Sequence, residues 1–243
     1  MNSMHALRIQ SEFGAIALVG SGEYLPEMAQ LESDLISDAV RRGRPGSYVQ
    51  LATAAGQEGE KRLAYWRDLG ASQGERIGVP TTFLPVFTRD HANDPDLAAQ
   101  IANVGLIYLS GGSPHYLAQT LIGSRVGAAI LQHVRSGGAL AGCSAGAMVL
   151  GTTVPAFRLR GGAPIAGFNL LPGVQVIPHF SRLFEVALQA APHSTEYLLG
   201  IDNLTALVRT SGAEAWRVVG EGNVHLLRGW PRQRIAAGAD LEF

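Results

Sequence analysis

The sequence predicts an α/β fold: a mostly parallel, doubly wound sheet with helices on both faces, and short antiparallel strands toward the C-terminus. Three observations predict it. From Ala15 to Leu150, continuous apolar runs alternate with stretches of helical periodicity, the pattern of strands buried on both faces between crossover helices. Thirty glycines and twelve prolines supply the tight connections that such an alternation needs. From Leu198 onward the apolar runs are short and separated by turn residues, as in hairpins.

Ala15 to Val19 reads as the first buried strand. Gly20-Ser21-Gly22-Glu23 follows it and resembles the opening of a G-x-G-x-x-G phosphate cradle. Leu25 stands where the third glycine belongs, so a turn at a strand's carboxyl end is the better reading. Pro26 suits a helix first turn. Leu31, Leu35, Ile36, Ala39 and Val40 form an apolar stripe at helical spacing, and Gly43 to Gly46 ends that helix. Tyr48 to Ala52 is the second strand, with Thr53-Ala54-Ala55-Gly56 as its loop. Glu58 to Leu69 is a helix with Leu63, Trp66 and Leu69 facing inward. Pro85 confines the strand Thr82 to Phe87 to an edge or an early end. Asp90 to Pro95 reads as a polar loop, and Asp94-Pro95 opens a helix through Asn103. Leu106 to Leu109 is a strand ending in Ser110-Gly111-Gly112-Ser113-Pro114. Helices follow at His115 to Ile122 and Arg125 to Val134, and Gly137-Gly138 leads into the strand Ala139-Leu140-Ala141.

Beyond this point the pattern changes. Thr152 to Gly173 reads as an irregular excursion. Val174 to Ile177 is a short strand, followed by Pro178-His179-Phe180-Ser181-Arg182 and a helix to Ala190. Leu198 to Ile201, Thr205 to Val208, Ala215 to Val219 and Val224 to Leu227 read as hairpin strands, with Glu221-Gly222-Asn223 as a turn between the last two. Nothing marks an internal repeat or a linker. One α/β domain over residues 1–243 is expected, with 1–13 poorly ordered.

Composition narrows the function classes. Of 243 residues 47% are apolar and 16% charged, and the formal net charge is −1. Lys61 is the only lysine. There is no basic face for nucleic acid and no acidic tail. Cys143 is the single cysteine, which excludes an internal disulfide framework and a cysteine-rich metal site. Met1 to Phe13 holds no apolar run of signal-peptide type, and no stretch reaches membrane-helix length. A cytoplasmic protein with no nucleic-acid or membrane partner is expected; a homodimer is left open.

Ala139 to Leu150 carries the chemistry. Gly142-Cys143-Ser144-Ala145-Gly146 is a G-x-S-x-G pattern with an apolar strand before it and a helix-compatible run after it, the context of a nucleophile elbow. In a parallel sheet the ligand site lies at the strands' carboxyl ends. The loops holding Glu23, Thr53, Gly111 to Ser113 and Ser144 should therefore converge. A serine needs a base to take its proton. Of seven histidines, His179 alone follows a strand directly in a turn that reaches over the sheet edge. Asp202, after the strand Leu198 to Ile201, is the carboxylate that would orient it, and Asn203 is a neutral alternative. Two backbone N–H groups should line an oxyanion hole: that of Ala145, and one from Gly111-Gly112. Cys143 should point into the core, since only the central residue of an elbow projects into the site.

With these residues assembled, the chain resembles the dipeptidase E and cyanophycinase family of serine peptidases. The resemblance runs from about Ile16 to Leu227. It rests on Gly20-Ser21-Gly22-Glu23, Thr53-Ala54-Ala55, Ser110-Gly111-Gly112, Gly142-Cys143-Ser144-Ala145-Gly146-Ala147, Pro178-His179-Phe180 and Gly200-Ile201-Asp202-Asn203-Leu204-Thr205-Ala206. It implies a flavodoxin-like fold of the class I glutamine amidotransferase type. It also implies a serine-type, exopeptidase-like hydrolase acting on small peptides or isopeptide-like amides, with no metal or organic cofactor. In it Ser144 is the nucleophile, His179 the base, and Gly112 and Ala145 the oxyanion donors; Glu23 and Arg182 are candidate contacts for the substrate's charged ends. The chain also departs from the family. Asn203 stands where Glu usually completes the triad, and Ile177-Pro178 replaces the Asp-Gln of cyanophycinases. Ser113 stands where Asn or Asp often follows the Gly-Gly, which implies an altered substrate pocket. Two alternatives stay open: a weak or inactive relative that binds a small molecule or partner, and an amidase or esterase on the same scaffold.

Overall fold

A computed structural model describes residues 13–155, 164–180 and 197–242. The expectation for 1–13 falls outside them except for Phe13, as does the helix expected up to Ala190. Among the described residues, the central sheet has eight strands. Its parallel part comprises β1 (Ile16–Val19), β2 (Tyr48–Leu51), β3 (Thr81–Phe83), β4 (Leu106–Leu109) and β5 (Ala139–Cys143). They lie in the order β1-β5-β4-β2-β3, each parallel to its neighbour. β3 is the edge strand and stops before Pro85, which cannot donate to a ladder.

Side-chain alternation along the buried strands makes two cores. Ala15, Ala17 and Val19 face one side, with Tyr48, Tyr108 and Cys143. That side is covered by α1 (Ala29–Arg41) and α2 (Glu60–Ile77). Ile16, Leu18, Leu51, Ile107 and Leu140 face the other. It is covered by α5 (Pro114–Leu121), α6 (Arg125–Arg135) and α7 (Ala145–Leu150). The predicted doubly wound α/β sheet is therefore present.

Several details differ from expectation. α2 continues past Leu69 to Ile77 because its glycines are packing positions. A Cβ on Gly70 would meet the Gln50 side chain at 2.0 Å, and one on Gly74 the Thr81 methyl at 2.1 Å. Val40 lies on the solvent edge of α1, 48% exposed. The polar stretch from Asp90 holds a short helix, α3 (Arg89–Asn93), because the Thr88 side chain accepts the His91 N–H and caps it. The helix opened by Asp94-Pro95 is the short α4 (Pro95–Ala99), which ends before Asn103. The excursion after Leu150 contains a small ribbon of β6 (Thr153–Val154) and β7 (Ile165–Ala166).

The C-terminal strands divide between two sheets. β10 (Thr205–Arg209), β11 (Trp216–Gly220) and β14 (Asp240–Leu241) extend the central sheet antiparallel from β1. β8 (Val174–Ile177), β9 (Tyr197–Ile201), β12 (Asn223–Arg228) and β13 (Gln233–Ala236) form a second sheet, ordered β13-β12-β9-β8. Thus β10 and β11 form a hairpin, whereas the turn at 221–222 carries the chain from one sheet to the other. A turn signal marks a reversal but not the partner across it. β8 and β9 are parallel, and the turn after β9 and the segment between β13 and β14 also cross between the sheets.

Candidate active site

Ser144 occupies the sharp junction of β5 and α7. Its backbone lies at φ 51° and ψ −110°, a costly conformation for a residue with a side chain. The junction admits no bulk on either flank. A Cβ on Gly142 would stand 2.4 Å from the Gly146 carbonyl oxygen, and one on Gly146 2.1 Å from the Leu109 carbonyl oxygen. The Ser144 N–H donates to the Val19 carbonyl at 3.0 Å, which fastens the elbow to β1. The Ala145 N–H opens α7, where a helix supplies no carbonyl partner of its own.

The turn after β4 packs beside the elbow. Gly112 lies at φ 137°, and a Cβ there would stand 2.6 Å from the Ala54 carbonyl. The Ser113 N–H donates to that same carbonyl at 2.8 Å. A Cβ on Gly111 would lie 3.3 Å from the Ser144 Cβ and 2.4 Å from Glu23 Oε1, so Ser144 and Glu23 flank one glycine. The loops after β1, β2, β4 and β5 converge at the carboxyl edge, as a parallel sheet requires.

His179 and Asn203 arrive from the second sheet. Ile177 pairs with Gly200 in the parallel β8–β9 ladder, so the two strand ends leave the sheet side by side. The Ser144 hydroxyl donates to His179 Nε2 at 2.9 Å. His179 Nδ1–H donates to Asn203 Oδ1 at 2.9 Å. A carbonyl oxygen can only accept, so it keeps the ring proton on Nδ1 and leaves the Nε2 lone pair to the serine. The family model of peptidase family S51 matches residues 50–215, a span containing all three of these side chains. The chain belongs to peptidase family S51.

The solved structures agree with that membership. A crystal structure of a peptidase from an acI-B1 Actinobacterium is 45% identical, with a TM-score of 0.90; the match covers 95% of this chain and 97% of that one. A Listeria monocytogenes EGD-e protein named for peptidase E is 17% identical, with a TM-score of 0.61 over 86% of this chain and 98% of its own, and shares the fold. No curated protein matches the chain. Peptidase is thus the activity that the family assigns to it.

In this S51 peptidase the histidine's far nitrogen meets the amide, not the neighbouring carboxylate. Asp202 Oδ1 accepts from His225 Nε2–H at 2.8 Å. Asp202 Oδ2 accepts from the Asn223 N–H at 2.9 Å and its side-chain Nδ2 at 3.0 Å. The reason is alternation: successive residues leaving a strand point to opposite sides, so Asn203 facing His179 turns Asp202 toward β12. Of the two candidates for orienting His179, Asn203 meets the ring and Asp202 does not. Asn223 and His225, two apart on one strand and facing the same carboxylate, had only that spacing as a sequence signal.

The other candidate residues fall as follows. Glu23 is half-buried, beside the Cys143 thiol. Cys143 is fully buried, and burial first, then the Glu23 charge, push its thiol well above the ordinary value; a buried protonated thiol is no nucleophile. Ser113 is exposed, and its hydroxyl accepts the Tyr116 N–H at 3.3 Å as the cap of α5. Arg182 lies outside the described residues. His133 is buried and donates through Nε2 to the Ala139 carbonyl at 2.9 Å; burial lowers its pKa to about 4. On the opposite face of the sheet, Tyr48 donates to buried Glu32 at 2.9 Å, and burial raises that carboxyl to about 7.

Among the described residues no helix is long and apolar enough to cross a membrane.

Proposed function

We propose that this S51 peptidase is a serine hydrolase that cleaves small peptides or isopeptide-like amides through an acyl-enzyme on Ser144. The observation that carries the reading is the continuous series Ser144 Oγ, His179 Nε2, His179 Nδ1, Asn203 Oδ1, with both hydrogen bonds at 2.9 Å, starting from a strained elbow serine. Ser144 attacks the scissile carbonyl while His179 Nε2 takes its proton. Asn203 holds the ring in the tautomer that keeps Nε2 basic and accepts from the imidazolium once it forms. The N–H groups of Ala145 and Gly112 receive the oxyanion. His179 then gives its proton to the leaving amine, and water releases the acyl group by the reverse sequence.

Glu23, across Gly111 from the nucleophile, suits a cationic group on the substrate, and Ser113 borders the same turn. Arg182 is assigned to a substrate carboxylate, which makes the action exopeptidase-like on short substrates. The test is a fluorophosphonate probe combined with a panel of short peptides, isopeptides and simple esters. Covalent labelling mapped to Ser144, with peptide turnover lost in Ser144→Ala, supports the reading. An unlabelled Ser144, with turnover unchanged in Ser144→Ala, overturns it. Turnover of esters alone would count against peptide substrates.

A further inference from the structure

We infer that the Asp202–His225 pair is the positioning element that allows a neutral amide to serve as the partner of His179. The inference rests on the serine-hydrolase reading above and concerns residues which that reading leaves without a role. An asparagine brings no charge to draw the imidazole into place. Its hydrogen bond is useful only if Oδ1 is already where the ring needs it, because misplacement of a catalytic partner is costly in rate.

The surroundings of Asn203 supply that placement. Asn203 lies in the tight turn between β9 and β10, followed by Leu204 at φ 49°. Its carbonyl accepts from the Thr205 hydroxyl at 2.9 Å, and that hydroxyl oxygen accepts the Gly222 N–H at 2.9 Å. Immediately before it, Asp202 is held by the three hydrogen bonds from β12 described above. Its own N–H donates to the Asn223 carbonyl at 3.1 Å.

His225 also reaches the histidine side of the pair. Its ring packs on Phe180 with centroids 4.5 Å apart, and Phe180 directly follows His179. The Phe180 N–H donates to the Ile201 carbonyl at 2.9 Å. One imidazole therefore braces both ends of the His179–Asn203 hydrogen bond: Asn203 through Asp202, and His179 through Phe180. Neither Asp202 nor His225 touches Ser144 or His179 by hydrogen bond, so both are positioning residues.

The experiment compares His225→Phe, which keeps a ring against Phe180 but cannot donate to Asp202, with His225→Gln, which restores a side-chain N–H donor. Asp202→Asn is the second route should either variant fold poorly. Steady-state kinetics on the best peptide substrate are read together with the downfield imidazole N–H proton of His179, assigned by its loss in Asn203→Ala. The loss of one hydrogen bond predicts that His225→Phe lowers kcat about tenfold with KM nearly unchanged. It should also speed solvent exchange of the His179 proton, and His225→Gln should recover most of both. Asp202→Asn should fall between them. A His225→Phe enzyme with wild-type kcat and wild-type proton exchange overturns the inference, as does a His225→Gln no better than His225→Phe. If Ser144→Ala is inactive while His225→Phe is unaffected, the positioning role alone fails; if Ser144→Ala stays active, the serine reading fails.

Discussion

Replacing Asn203 by alanine is the sharpest test of the third member of the site. The perturbation removes one acceptor, Oδ1, from 2.9 Å of His179 Nδ1. In the resting enzyme this is a bond between neutral groups. When His179 has taken the serine proton it becomes charge-assisted, and such bonds contribute about 1.5–3 kcal/mol. Both side chains are exposed, so water competes for the ring proton and the lower part of that range applies. The expected loss in kcat/KM is therefore roughly 10- to 30-fold. Most of it should fall in kcat, because the charged form exists only along the reaction path. Asn203→Asp keeps an acceptor in the same place and adds a charge that favours the imidazolium, so it should match or exceed the wild type. The assay is steady-state cleavage of the best peptide substrate, with melting temperature as the control for folding. A folded Asn203→Ala enzyme within about threefold of wild type would refute the argument, since that is less than the smallest charge-assisted bond considered.

Other consequences follow from buried groups. His133 is held at about 4 by burial; a lowered folded value means stability present above about 6.5 and lost as pH falls toward 4, roughly 3 kcal/mol in all, and His133→Gln should flatten that acid limb in melting-temperature measurements. Glu32 is raised to about 7, so the opposite sign holds: its contribution is complete below about 4.5 and lost as pH rises through 7, again roughly 3 kcal/mol, and Glu32→Gln should remove that slope. Cys143, buried and with its thiol pushed up, should resist a disulfide-exchange reagent in the native protein and react stoichiometrically only in denaturant; rapid native reaction would show an open site. Gly200→Ala would set a Cβ 2.8 Å from the Phe180 ring, and should lower kcat in steady-state kinetics, with the melting temperature as the control for folding.

What the sequence made legible was local. The elbow could be read because its requirements lie within five residues: a strand before, a helix after, and no Cβ at Gly142 or Gly146. The parallel strands could be read because burial on both faces leaves continuous apolar runs. His179 could be placed because it leaves a strand directly. Three kinds of feature could not be read. Gly70 and Gly74 look like helix breakers until the Gln50 and Thr81 side chains packed on them are known. The Thr88 cap turns a polar stretch into a helix through one side-chain hydrogen bond. The C-terminal strands look alike whether they pair with their sequence neighbour or cross to another sheet, because pairing partners leave no trace in a single strand's pattern.

The third partner belongs to this last kind, and its case shows how a site can be legible in composition yet ambiguous by one residue. Position in sequence favoured Asp202 by charge, and only the facing of the β9 end decides between 202 and 203. That facing follows from the register Ile177↔Gly200 in one sheet and Val224↔Ile201 in the same sheet. The first brings the His179 and Asn203 ends together, and the second brings Asp202 against Asn223 and His225. A slip of β9 by one residue against both β8 and β12 would exchange the two, presenting a carboxylate to His179 and leaving Asn223 and His225 facing an amide. The register thus selects the amide for the site and the carboxylate for the brace. A carboxylate held by three donors from β12 is an anchor that an amide, with one acceptor oxygen, would replace poorly. The neutral third member is therefore tied to a charged residue immediately beside it, and exchanging the identities of 202 and 203 should cost activity even though both side chains remain available to the site.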